Sequence, residues 1–153
     1  MKRIEVKLAL PIVAPLLDVI KELADGLKKH LAVAPAAQEI DPEMRDAWVG
    51  ELLSAQNDDV ATLLGLFNDE FFTEGVVAFD EENAEAVVRA CAAIRLRLRE
   101  RFLAPLGDET LESGEVDVST LTEPTRKAFM CYLFLATVQE LIIQHLDASI
   151  LES

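Results

Sequence analysis

Residues 2–8 alternate: Ile4, Val6 and Leu8 fall on one parity and Arg3, Glu5 and Lys7 on the other, the period of a short half-buried strand. From Pro11 or Ala14 the period lengthens. Leu16, Leu17, Ile20, Leu23, Leu27 and Leu31 recur at intervals of three and four, with Asp18, Lys21, Glu22, Asp25 and Lys28 between them. That pattern predicts an amphipathic helix, opened by proline where a missing N–H does no harm. Residues 32–40 read as a linker. Asp41, Pro42 and Glu43 then supply an N-cap, a first-position proline and an acidic first turn for a helix carrying Met44, Trp48, Leu52 and Leu53 to about Ser54. Asn57 or Asp58 is expected to cap a third helix through Val60, Leu63, Leu64, Phe67 and Phe71, which Gly75 stops.

Residues 76–79 suggest a short extended piece. Asp80 is expected to cap a long fourth helix, with Glu81, Glu82 and Glu85 near its start and Arg95, Arg97, Arg99 and Arg101 near its end, the sense the helix dipole favours. Pro105 and Gly107 close it. Residues 107–119 form an acidic loop in which Val116 and Val118 are expected to pair along an edge. Thr122, Glu123 and Pro124 open a final helix to about Leu146 or Ile150. From residue 128 to 138 that helix is apolar on every side, which predicts a buried post around which the others pack. The fold class is therefore mainly α: a five-helix bundle around a buried C-terminal helix, with a short N-terminal strand and a small β pairing, all one domain over residues 1–153.

Composition sharpens this picture. The 153 residues hold 28 acids against 14 bases, a formal charge of −14, yet 51% are hydrophobic. So apolar a chain folds despite its charge. The acidic balance argues against nucleic acid, whose binding needs phosphates neutralised by Lys and Arg, and against anionic membrane surfaces. The charge is uneven. Residues 39–85 hold fourteen acids and one base, Arg45; a second acidic patch runs from residue 108 to 123; and Arg89, Arg95, Arg97, Arg99 and Arg101 crowd one helix. At the N-terminus Lys2 and Arg3 before an apolar stretch at 8–17 imitate a signal peptide, but Glu5, Pro11 and Pro15 interrupt it. The apolar run at 128–138 is shorter than the ~20 residues that span a bilayer. A cytoplasmic protein is expected.

Candidate chemistry is sparse. Cys91 and Cys131 lie inside apolar runs with no Cys-x-x-Cys spacing, which suits two buried thiols rather than zinc or redox chemistry. A di-metal bundle needs Glu-x-x-His, but Leu27 precedes His30 and Ile142 precedes His145 at that spacing. His145 lies fourteen residues after Cys131 on one helix, about 20 Å away, too far to serve it as a base. The glycines are scattered, and no nucleophile elbow, phosphate loop or dinucleotide fingerprint is present. No catalytic, cofactor-binding or metal-binding residue is assigned.

One polar position stands out. At 100° per residue, Ala84, Val87, Cys91, Leu98 and Phe102 share a face of the fourth helix, and Arg95 falls about 40° from its centre. Its stem should pack at the core margin with the guanidinium tied to a carboxylate. Glu140 is the expected partner, with Asp69 or Glu70 as the alternative. Arg95, Glu140 and Arg101 thus form the candidate buried ion pair or anion site, with Arg97 and Arg101 otherwise expected on a solvated basic edge.

Three stretches resemble a bacterial family known only as a domain of unknown function, often encoded beside the ClpS protease adaptor. They are Ile4-Glu5-Val6-Lys7-Leu8 followed by Leu16-Leu17 and Leu23; Ile94-Arg95-Leu96 with Leu98 and Arg101, similar to a Leu-Arg-Leu stretch; and Tyr132-Leu133 through Gln139-Glu140-Leu141-Ile142. Where the family tends to carry Asn-Asp before Leu-Arg-Leu, this chain has Ala92-Ala93, which reduces any polar site there to Arg95 and Arg101. The resemblance implies the fold and the order of elements, no established activity, and a place near protein quality control.

Two functions compete on this reading. One is a non-enzymatic interaction or regulatory module whose acidic field steers a basic protein partner. The other is a small-ligand binder or enzyme with a pocket around Arg95 and Glu140. Homodimerisation through Phe71-Phe72 and Val76-Val77 is compatible with either.

Overall fold

The computed structural model describes residues 3–32, 42–113 and 115–146. Strand β1 (Arg3–Lys7) pairs antiparallel with β2 (Val76–Asp80), Ile4 opposite Phe79 and Val6 opposite Val77. The alternation read from the sequence is the alternation of the strand: Ile4 and Val6 pack on the core, and Arg3, Glu5 and Lys7 are exposed. Between the strands run α1 (Leu10–Leu27), α2 (Pro42–Gly65) and α3 (Asp69–Glu74); after them come α4 (Ala84–Arg101), α5 (Asp108–Ser113) and α6 (Glu123–His145). The protein is mainly helical with a small antiparallel sheet.

Local chemistry sets these boundaries. In α1, Pro11 stands in the first turn, and Val13, Leu16, Leu17, Ile20, Leu23, Ala24 and Leu27 form the buried face. The α1 C-terminus is held from outside. Gln56 Nε2 donates to the carbonyls of Leu27 at 2.9 Å and His30 at 3.0 Å, Gln56 Oε1 accepts from Ala32 N at 2.9 Å, and Asn57 Nδ2 donates to the Lys28 carbonyl at 3.2 Å. These bonds explain why the expected break at residues 54–58 does not occur. With no Gly or Pro there, and with Gln56 and Asn57 engaged across the interface, α2 continues as one helix where two were expected. The expected Asp41 cap lies outside the described residues.

Asn68 caps α3, its side chain accepting from Phe71 N, and Gly75 ends it at φ +75°, the left-handed conformation that favours glycine. Asp80 organises the turn into α4, its carboxylate accepting from Glu82 N and Asn83 N. It precedes a turn rather than capping the helix directly. The expected edge pairing of Val116 and Val118 is replaced by a 3-10 turn at Val118–Thr120, held by Asp117. Thr122 caps α6 as expected, accepting from Thr125 N.

Helix α4 packs against α1, α2 and α6. Helix α6 packs on α4 and α1 and buries Ala128, Phe129, Cys131, Tyr132, Leu135, Val138 and Ile142. It is a core helix on one face rather than on every side, since Met130, Leu133 and Ile143 remain exposed. Taken whole, its 23 residues are long and apolar enough to cross a membrane by length and composition. In this fold one face of it is buried, including Phe129, Leu135 and Ile142.

Candidate functional site

Arg95 points from α4 toward α6, but its partners differ from the expected one. Nη1 donates to Gln139 Oε1 at 2.5 Å and Nη2 to the Tyr132 hydroxyl at 3.0 Å, while the guanidinium carbon stands 4.5 Å from the Tyr132 ring centroid. That distance is in cation–π range. Gln139 Nε2 in turn donates to the Val88 carbonyl at 3.0 Å. Glu140, one residue along α6, is exposed and accepts from Gln144 at 2.9 Å. The expected Arg95–Glu140 ion pair is thus not formed. Consecutive helical residues point 100° apart, and it is Gln139, not Glu140, that faces α4. Asp69 and Glu70 lie exposed in the first turn of α3, so the alternative partners are not used either.

The three predicted site residues are not gathered. Arg101 is exposed at the end of α4, its guanidinium 5.9 Å from the Phe102 ring. Arg97, expected on a solvated edge, is instead largely covered, with its Nε buried and unbonded, and Gly26 of α1 lies alongside. The Arg95 Nε is likewise buried without a hydrogen-bond partner. Around Arg95 a cation is held by neutral acceptors and an aromatic face, with no carboxylate bridging to it among the described residues. Surface clefts of about 530, 310 and 460 Å³ open elsewhere, lined in part by Leu103 and Leu111, by Phe102 and Lys127, and by Ile12 and Met130. Arg95, Arg101 and Glu140 line none of the three.

Cys91 and Cys131 are free and buried, on the facing helices α4 and α6. Burial pushes each thiol up to about 12; the Arg95 charge draws Cys91 back slightly and Lys127 does so for Cys131. Neither is a thiolate at neutral pH, and His30 and His145 are both exposed.

The acidic stretch lies at the surface. Arg89 gathers Asp59, with bonds of 2.9 Å from Nε and Nη2, and Glu85 at 2.5 Å; the hydrogen bond to Asp59 is the main cause that raises the Arg89 pKa. Asp46, Glu51 and Asp58 of α2, Asp69, Glu70 and Glu74 of α3, and Glu81 and Glu82 of the following turn are exposed. Among these acids stand the apolar residues that the sequence places on the second expected helix. The N-terminal half of α2 leaves Met44 66%, Trp48 38% and Leu52 37% exposed. Their spacing was visible in the sequence. Periodicity gives their spacing, and only the fold shows that these side chains stay partly exposed.

Comparison with curated proteins and with solved structures returned no match. A family model does match, covering residues 25–146, from the end of α1 through α6 and including Arg95, Tyr132 and Gln139. The chain therefore belongs to the family described as a domain of unknown function, DUF2017.

Proposed function

We propose that this protein is a cytoplasmic, non-enzymatic interaction module whose acidic surface receives a basic protein partner. The observation that carries this reading is the band of exposed carboxylates along α2, α3 and the turn before α4, opposed locally by few bases. A field of one sign steers an oppositely charged partner and speeds its association. The module's place is in protein quality control, in keeping with the resemblance to a family encoded beside a protease adaptor. The alternative, a ligand pocket around Arg95 and Glu140, has less support, because Arg95 is engaged by Tyr132 and Gln139 and Glu140 faces solvent. Of the four apolar residues suggested for self-association, Phe71 and Val77 are buried, Val76 is half-buried and Phe72 is exposed.

The test is affinity capture from a lysate of the native organism at low ionic strength, followed by a salt gradient. A discrete basic partner released as salt rises is the expected result. Capture of nothing at low salt, or of a partner indifferent to salt, would overturn the reading.

A further inference from the structure

Helix α6 buries one face and carries a patterned stripe on the other. Met130, Leu133, Thr137, Glu140 and Gln144 are exposed, and half-buried Arg126 stands one turn before them. From Arg126 to Gln144 the intervals are four, three, four, three and four, the spacing of a helix–helix seam. At 100° per residue the six fall within an arc of about 80°, on the side away from Ala128, Leu135 and Ile142. Met130 is 41% and Leu133 36% exposed. The Thr137 hydroxyl already donates to the Leu133 carbonyl at 2.9 Å, so covering it strands no donor. Ile12, 59% exposed on α1, extends the apolar patch across the cleft it shares with Met130.

Charge decides what fits this stripe. In a chain with 28 acids, residues 124–139 contain none, and their only charged side chains are Arg126 and Lys127. From Arg126 to Glu140 the seam therefore reads base, apolar, apolar, neutral, acid, with Leu133 midway. Glu123 and Lys127 flank it together on one side and offset each other in sign. Such a stripe is complementary to itself reversed. An antiparallel copy centred on Leu133 sets Arg126 level with Glu140 of the partner subunit, and the match occurs twice, at points about 21 Å apart. Leu133 then meets its own counterpart on the twofold axis, and Met130 lies level with the space beside Thr137 of the partner subunit. A parallel copy would instead set Arg126 against Arg126 of the partner subunit and Glu140 against Glu140 of the partner subunit. The acidic band of α2 stays out of such a contact. Helix α2 meets α4 at Arg89, whereas α6 meets it at Val88 and Arg95, about 110° further round that helix.

We propose that the outer face of α6 is a homodimerisation surface, on which two copies of this chain pair their α6 helices antiparallel about Leu133, with Arg126 of each beside Glu140 of the partner subunit. This goes beyond the interaction-module reading and does not rest on it, since that reading concerns the acidic surface. It also moves self-association from residues 71–77 to α6.

The test is sedimentation equilibrium of the full chain from about 1 μM to 1 mM, a span suited to the modest affinity of a single helix-pair contact. Expected is a monomer–dimer equilibrium that Leu133→Glu weakens about a hundredfold or more, because it sets two carboxylates together at the axis. Leu133 is exposed, so circular dichroism and the melting temperature of that variant should stay those of the parent. Glu140→Lys and Arg126→Glu should each weaken self-association about tenfold, since each sets like charges together at both ends of the seam. Mixed one to one, the two variants should recover the parental affinity, because the heterodimer has both opposite-charge pairs again. Only the antiparallel order gives that rescue. Arg126 also donates to the Leu121 carbonyl at 3.2 Å. Should Arg126→Glu fail to fold, Leu133→Glu and Glu140→Lys, both at exposed positions, still decide the question. A parent that stays monomeric at the highest concentration, a dimer indifferent to Leu133→Glu or to Glu140→Lys, or folded variants that show no rescue on mixing would each overturn the proposal.

Discussion

Gln139 accepts a hydrogen bond from Arg95 at 2.5 Å and donates another to the Val88 carbonyl at 3.0 Å, so one side chain of α6 engages two residues of α4. A lost partner at a part-buried polar contact leaves a group that water no longer serves well. Gln139→Ala should therefore cost about 2 kcal/mol in urea unfolding. Arg95→Ala should also destabilise, through its packed stem and the Tyr132 contact, and should leave partner capture unchanged. Loss of binding in a folded Arg95→Ala protein would restore the ligand-site reading.

Gln56 is the only side chain described as bonding at once to Leu27, His30 and Ala32, across the end of α1. Helix C-termini leave carbonyls without intrahelical partners, and here the neighbouring helix supplies the donor. Gln56→Ala is expected to lose about 1 to 2 kcal/mol and to speed hydrogen exchange at the Ala32 amide. An unchanged exchange rate at Ala32 would show that the clamp does not hold in solution.

Gly75 combines two constraints. Its φ is +75°, and a Cβ there would meet the Leu8 carbonyl oxygen at 2.8 Å, a backbone atom that is fixed by the adjoining strand pair. Leu8 N also donates to the Gly75 carbonyl at 2.7 Å, so the two residues cannot separate without losing that bond. Gly75→Ala should destabilise by about 2 kcal/mol or more, lowering the melting temperature by several degrees. Melting within a degree of the parent would contradict this geometry.

The two thiols predict a pH dependence. Each rises from an ordinary 9.0 to about 12 because burial disfavours the thiolate. The unfolded chain therefore loses these protons first as pH rises. The stabilisation is fully present below about 9 and is lost progressively toward 12, at about 1.4 kcal/mol per pH unit for each thiol. Cys91→Ala/Cys131→Ala should flatten stability across that window. Below it, both native thiols should react with Ellman's reagent only as fast as the protein opens.

Much of the fold was legible because it rests on neighbours in sequence. The alternation of Ile4 and Val6, the stop at Gly75, the Thr122 cap and the three–four spacing of Leu16, Ile20, Leu23 and Leu27 each act within a turn or a strand. The extended piece at 76–79 was visible, but not its pairing with β1, since Ile4 meets Phe79 across 75 residues of chain. Continuity of α2 through Asn57 was missed for the same kind of reason: Asn57 is a good cap until Lys28, 29 residues away, offers its carbonyl. The candidate site was legible only as far as Arg95 itself.

Sequence alone determined where α1, α4 and α6 run, that a core of this size exists, and that negative charge collects between residues 39 and 85, because these depend on composition and local periodicity. Tertiary structure decided the rest. It chose Gln139 over Glu140 for Arg95, through the rotation of α6 about its axis. It left Met44, Trp48 and Leu52 exposed in the N-terminal half of α2, while Val60 and Leu63 in the other half are buried. A hydrophobic stripe in a sequence says that burial is favourable, and only the packed fold says whether the protein has already achieved it.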